Sequence, residues 1–182
     1  MLSPWLKRAG WAALVIVVIL VAVCIWLFYD LPSSEIRETQ LRMPSIRITD
    51  RSGQLLYEAM ASDSGRQLSV PLDKIPETLR QASIATEDAR FYSNPGVDLP
   101  GLLRAVWINL NGGETLSGGS TITQQVVRNL LLSAEERNER SMRRKLREML
   151  LAWQLTQRYS KDEILAFYLN QTYYGGMTYG VE

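Results

Sequence analysis

The run from Trp11 to Tyr29, WAALVIVVILVAVCIWLFY, contains no charged residue. About twenty consecutive apolar residues match the hydrocarbon core of a bilayer when helical, so this stretch is long enough to cross one. Lys7 and Arg8 precede it, Asp30 follows it, and Trp11, Trp26 and Tyr29 sit where interfacial aromatics belong. The positive-inside rule then puts residues 1–10 in the cytoplasm, makes 11–29 an uncleaved signal anchor and leaves everything after Asp30 outside. A cleaved signal peptide is the competing reading, but the run is long and no small-x-small site follows it cleanly.

Residues 30–67 read as a linker and a β-hairpin. Leu31 to Met43 is a polar, Pro-punctuated tether; Ser45–Thr49 alternates, Asp50-Arg51-Ser52-Gly53 signals a turn, and Gln54–Glu58 returns as a second strand. Residues 68–182 read as the main domain, mostly helical. Leu68 to Leu72 is expected to be extended, and Ile75-Pro76 opens a helix whose inner face is Leu79, Ala82 and Thr86 or Ala85. Leu99 to Leu110 forms another, and glycines 112, 113, 118 and 119 make a mobile loop after it. Ile164, Leu165, Tyr168 and Leu169 pack inward on a helix capped by Ser160, while Tyr173–Gly176 and Tyr179-Gly180 read as loops.

At the centre lies Gly118-Gly119-Ser120-Thr121-Ile122-Thr123-Gln124-Gln125-Val126-Val127-Arg128-Asn129. Thr121 and Gln124 have capping-box spacing, and Ile122, Val126 and Leu130, flanked by Val127 and Leu131, form a core-facing stripe. The other stripe, Thr121, Gln125, Arg128 and Asn129, carries hydrogen-bonding groups without a carboxylate. It is either a solvated helix face or a surface for a phosphate or sugar ligand.

The chain has no histidine and one cysteine, Cys24 within the apolar run. Acid–base chemistry therefore falls to carboxylates, and neither a disulfide framework nor a cysteine metal cluster is available. Twenty basic and nineteen acidic residues leave no bulk field for nucleic acid. Glu87-Asp88 ends a helix, where the dipole disfavours negative charge; partial burial there would raise a carboxyl pKa toward the range of a general base. From Ala134 a basic segment holds Arg137, Arg140, Arg143, Arg144, Lys145 and Arg147, with Glu136–Arg140 and Glu139–Arg143 at i, i+4 spacing. It is either a salt-bridged helix surface or a contact for anionic lipid groups.

Four ordered motifs, Glu87-Asp88-x-x-Phe91-Tyr92-x-x-x-Gly96, Gly118-Gly119-Ser120-Thr121-x-Thr123-Gln124-Gln125-x-x-Arg128-Asn129, Arg144-Lys145-x-x-Glu148 and Ile164-Leu165-x-x-Tyr168-Leu169-Asn170, resemble the peptidoglycan glycosyltransferase domain of class A penicillin-binding proteins and monofunctional transglycosylases. The resemblance implies a mainly α, lysozyme-like fold with a small hairpin, and a cell-membrane, single-pass bacterial protein with its domain outside. It implies lipid II and a lipid-linked glycan strand as substrates, joined by inverting β-1,4 transfer with release of undecaprenyl pyrophosphate, within a cell-wall synthesis complex and without nucleic acid. Glu87 would be the general base. Glu148 would be the second essential glutamate, near the donor pyrophosphate, where the resemblance admits a divalent cation, Mg2+ or Mn2+. Asp88, Ser120, Thr121, Gln125, Arg128, Asn129, Arg144 and Lys145 would bind substrate. Arg128 replaces a usual lysine, and Asn94 stands where the first motif often has histidine.

The resemblance also implies a domain continuing past Glu182, so the chain is expected to be the N-terminal part of a bifunctional protein. No Ser-x-x-Lys with a downstream Lys-Thr-Gly is present to support penicillin binding. The alternatives are a non-catalytic binding module or inactive fragment, and a lytic glycosidase, which Arg128 and Lys145 suit less well than a pyrophosphate leaving group.

Overall fold

The computed structural model describes residues 4–37, 41, 46–59, 66–67, 69–110, 119–175 and 178–181. Seven helices lie among them: α1 (Pro4–Phe28), α2 (Glu77–Glu87), α3 (Leu99–Leu110), α4 (Ile122–Leu130), α5 (Ala134–Asn138), α6 (Met142–Arg158) and α7 (Lys161–Gln171). The expected hairpin forms from β1 (Ile46–Thr49) and β2 (Leu55–Ala59), paired antiparallel. Its turn is closed by the Asp50 carboxylate, which accepts from the amides of Ser52 and Gln54, and by Gly53 at φ +85°.

The core is built on α4, which packs against both α6 and α7. Ile122, Val126, Val127 and Leu130 meet Leu151, Ala152 and Leu155 of α6 and Ile164, Leu165 and Leu169 of α7, with Phe91 and Ile75 filling between. Each such side chain, fully buried, contributes roughly 1.5–3 kcal/mol of hydrophobic stabilisation. The central helix starts as expected: the Thr121 hydroxyl accepts from the Gln124 amide, and the Gln124 side chain accepts from the Thr121 amide. Ser160 and Glu163 cap α7 in the same way.

Four expectations are corrected. The inner face of α2 is Leu79 and Ile84, while Ala82, Ala85 and Thr86 are exposed, because the loop after Asp88 rather than the helix itself enters the core. The expected extended segment stops short of Leu72, which opens a turn of 3-10 helix, and Leu68 lies outside the described residues; the strand here is β3, Arg66–Gln67. Tyr173–Gly175 (β4) and Thr178–Tyr179 (β5) are strands, not loops, and β5 also pairs with β3 in parallel, a partner about 110 residues distant that no local pattern announces. Glu136–Arg140 and Glu139–Arg143 do not share a helix, since α5 ends at Asn138 and α6 begins at Met142; Glu136 pairs with Arg147 instead, at 3.3 Å. The glycines at 112, 113 and 118 lie outside the described residues.

Gly10–Phe28 of α1 is long and apolar enough to cross a membrane, with mean hydropathy 3.0 and none of it buried by protein. Asp30, at φ +60°, closes the helix in a left-handed conformation. The tether after it is docked: Leu31, Ile36 and Leu41 pack on the core, and the Ile36 amide donates to the Tyr159 hydroxyl at 3.0 Å.

Two residues of the loop that follows α2 hold it to the core. Phe91 is fully buried, and Gly96 takes φ +97° where an added Cβ would collide with the Ala152 carbonyl on α6. Gly96→Ala is therefore expected to destabilise the fold by about 2 kcal/mol or more. Thermal unfolding in detergent checks this; an unchanged midpoint would show that the loop yields.

Candidate active site

Two centres emerge along α4, one turn apart. In the first, the Glu148 carboxylate is completely buried on α6 and engaged by three cations. Arg128 reaches it from α4 with Nε and Nη2, each at 3.0 Å; Arg144 Nη1 donates at 2.6 Å and Lys145 Nζ at 3.1 Å from the preceding turn of α6. The i, i+4 and i, i+3 spacing puts Arg144 and Lys145 on the same helical face as Glu148. Ser120 accepts from Arg128 Nη2 at 3.2 Å and from Lys145 Nζ at 2.8 Å.

Three cations against one anion leave two positive charges on a small, partly buried surface. Burial pulls the Lys145 ammonium below the usual lysine range, Glu148 opposes that, and Arg128 and Arg144 add to it. A cluster that stores repulsion in this way is relieved by an incoming anion. It does not fit a protein-held divalent ion: both Glu148 oxygens are already taken by cations, and the described residues hold no carboxylate, histidine or cysteine group that could chelate one. Gln124, read from sequence only as a cap, also accepts from Lys145 Nζ at 3.3 Å and so ties the helix start to the cationic centre.

In the second centre Glu87, the last residue of α2, is exposed and accepts from Gln125 Nε2 at 2.8 Å. Gln125 and Arg128 are separated by one helical turn, so α4 touches both glutamates. Beside Glu87 lies a cavity of about 540 Å3 whose walls include Glu87, Arg90, Arg104, Gly119 and Ser120, the last of which also bonds to Arg128 and Lys145. Arg90 is paired with Asp98 at 2.6 Å. Neither Arg90 nor Arg104 stands out in the sequence, because their shared cavity exists only once α2 and α3 are folded together.

Other predicted site residues turn inward. Asp88 is buried; its two oxygens accept from Asn94 Nδ2, both at 3.0 Å, and one also accepts from the Ile122 amide at the head of α4, at 3.3 Å. Asn94 Oδ1 accepts in turn from the Gly96 amide at 2.9 Å and from Lys161 Nζ at 3.2 Å, and that ammonium lies 4.7 Å from the centre of the Phe91 ring. Thr121 donates its hydroxyl to the Gly96 carbonyl at 2.7 Å. Asp88 and Thr121 thus fasten the Glu87 loop to α4. Asn129 is exposed at the outer edge, its carbonyl accepting from Arg137.

Burial, the condition attached to the Glu87-Asp88 pair, is met by Asp88. Desolvation raises its carboxyl above 3.8, outweighing the Asn94 hydrogen bonds that lower it. Because the folded state holds this proton more tightly than the unfolded state, the stability it contributes is full below 3.8 and declines as pH rises through the raised value. Asp88→Asn is expected to flatten that decline; melting midpoints from about pH 4 to 7 would show it, and parallel curves for the two proteins would refute it.

A family model described as Transglycosylase matches residues 52–182. Penicillin-binding protein 1A of Rickettsia conorii is 42% identical over 142 residues, covering 76% of this chain and 17% of that protein. Penicillin-binding protein 1A/1B of Bacillus subtilis is 42% identical over 153 residues, 84% of this chain and 16% of its own length. Penicillin-binding protein 1A of Mycobacterium tuberculosis is 36% identical over 181 residues, 97% of this chain and 21% of its own. The chain thus spans about a fifth or less of the length of these relatives.

Proposed function

This chain belongs to the transglycosylase family, and on that premise we propose that it polymerises lipid II into β-1,4 glycan strands as the N-terminal part of a larger bifunctional protein. The observation that carries the reading is the cationic centre of Arg128, Arg144 and Lys145 around buried Glu148, whose hydrogen-bond partner Ser120 lines the same cavity as Glu87.

The donor pyrophosphate sits against Arg128, Lys145 and Ser120, with Arg144 and Glu148 fixing the array. Glu87 takes the proton from the acceptor 4-hydroxyl as that oxygen attacks the donor anomeric carbon. The bond from that carbon to the pyrophosphate oxygen breaks in the same displacement, inverting the centre. The electron pair leaves with undecaprenyl pyrophosphate, whose growing charge meets cations already in place. Because Arg128 presents a fork, it can bridge Glu148 and a phosphate oxygen together. Gln125 orients Glu87, Asn129 borders the donor side, and Asp88 with Thr121 holds the loop. Residues 11–29 anchor the protein, residues 30–67 link it, and 68–182 carry the transferase outside the cell membrane, within a cell-wall synthesis complex.

The test is polymerisation of lipid II by the purified full chain in detergent, with strands resolved by gel. Strands that vanish with a moenomycin-type donor-site inhibitor are expected. Binding of lipid II without any strands would instead favour a non-catalytic binding module.

A further inference from the structure

The helix that carries the cationic centre also clasps the membrane anchor, and does so from the same two turns. Arg143 donates from Nε to the Trp26 carbonyl at 3.2 Å and from Nη2 to the Tyr29 carbonyl at 3.4 Å, with its guanidinium 5.6 Å from the centre of the Trp26 ring. Arg147, only 3% exposed, donates to the Tyr29 carbonyl at 3.2 Å and to the Asp30 carbonyl at 2.5 Å, and pairs with Glu136 of α5. These are carbonyls that the end of α1 leaves without helical partners, so the two arginines are a C-terminal cap supplied from another part of the fold.

Arg143 and Arg147 are four residues apart, as are Arg144 and Glu148, so the two pairs form neighbouring stripes on one helix. The packing shows why this matters. The buried residues of α6 begin at Arg147, and none from Met142 to Leu146 is buried. Arg144 and Lys145 therefore stand on a stretch with no hydrophobic fixing. Beyond the bonds of Arg144 and Lys145 to Glu148, Ser120 and Gln124, it is held by the Ser141 cap, by Arg144 Nε on the Glu139 carbonyl and by the Arg143 clasp.

We propose that Arg143 and Arg147 are positioning residues that make the end of the membrane anchor a structural part of the anion site, setting the seat of Arg144 and Lys145 beside Glu148. The inference rests on the donor-site reading given above. It carries a reciprocal requirement: if a docked anchor favours anion binding, an anion in the site must tighten the docking of the anchor. A general loss of folding would not produce that link.

Inorganic pyrophosphate serves as the probe, with the full chain in detergent. Calorimetry gives its affinity, and a nitroxide on Cys24, the chain's one cysteine and exposed on α1, reports the motion of the anchor's last turns. Pyrophosphate is expected to slow the nitroxide in the unaltered protein. Arg143→Gln is expected to weaken pyrophosphate binding about tenfold and to abolish the nitroxide response without moving the melting midpoint. Arg143→Lys, which keeps the charge but loses the fork, should restore only part of the affinity, and Arg147→Lys should fall between Gln and Lys at 143. Equal binding and an equal nitroxide response in Arg143→Gln and the unaltered chain would overturn this inference alone. Absence of pyrophosphate binding in the unaltered chain would overturn the donor-site reading and this inference with it.

Discussion

Glu148→Ala is expected to lower the stability of the fold by about 3–5 kcal/mol, the scale seen when one member of a buried ionic group is removed. Its carboxylate is inaccessible to solvent and is the shared counter-charge of Arg128, Arg144 and Lys145. Without it, three cations are held together with no anion among them, and Lys145, already disfavoured in its charged form by burial, can relieve the site only by losing its proton or by moving out. Because α6 and α4 are joined through this group, the damage should reach the core between them. Chemical unfolding in detergent measures the effect. A midpoint within error of the unaltered protein would show that the array is not a structural joint. If cation repulsion causes the loss, pyrophosphate, which supplies the missing negative charge, should raise the midpoint of Glu148→Ala more than that of the unaltered protein, so melting with and without it tests the cause.

Glu87→Gln should behave in the opposite way. Glu87 is exposed and its described side-chain bond is the one from Gln125, so the fold has little to lose. Removing a general base is expected to reduce the rate of strand formation by roughly 10²–10⁴-fold while the melting midpoint and lipid II affinity stay in place. Rates of strand formation from labelled lipid II test this. Polymer made at an undiminished rate would remove Glu87 from the chemistry. The two glutamates thus differ in setting: Glu148 is buried among three cations, and Glu87 is exposed with a single described side-chain bond.

Much of this arrangement was legible in the sequence where the signal was local. The periodicity of Ile122, Val126 and Leu130, the capping pairs at Thr121 and Ser160, the hairpin turn at Asp50–Gly53 and the spacing of Arg144, Lys145 and Glu148 each record an interaction within a few residues. The Glu87-Asp88 pair stood out as two carboxylates at a helix end, and the family resemblance assigned the remaining candidate residues their expected roles. What stayed hidden depends on contacts between distant segments. The parallel pairing of β3 with β5 has no local signature, and Asn94 reveals its link from Asp88 to Lys161 only when the loop after α2 reaches α7. The basic segment was ambiguous for a physical reason. Its arginines divide between two neighbours, the anion centre and the end of α1, and a charge count cannot see that division.

The double engagement of α4 has a mechanical consequence. Gln125 holds Glu87 and Arg128 holds Glu148 from one short helix that is itself wedged between α6 and α7. Residues three apart on a helix are separated by about 4.5 Å along its axis, and that spacing is as stiff as the helix. The contacts to the two glutamates are therefore spaced by a single helix rather than by two separate walls. Leu99, Leu103 and Trp107 of α3, the helix whose Pro100, Gly101 and Arg104 line the cavity, face outward rather than into the core, so the hydrophobic packing that holds α4 between α6 and α7 has no counterpart there.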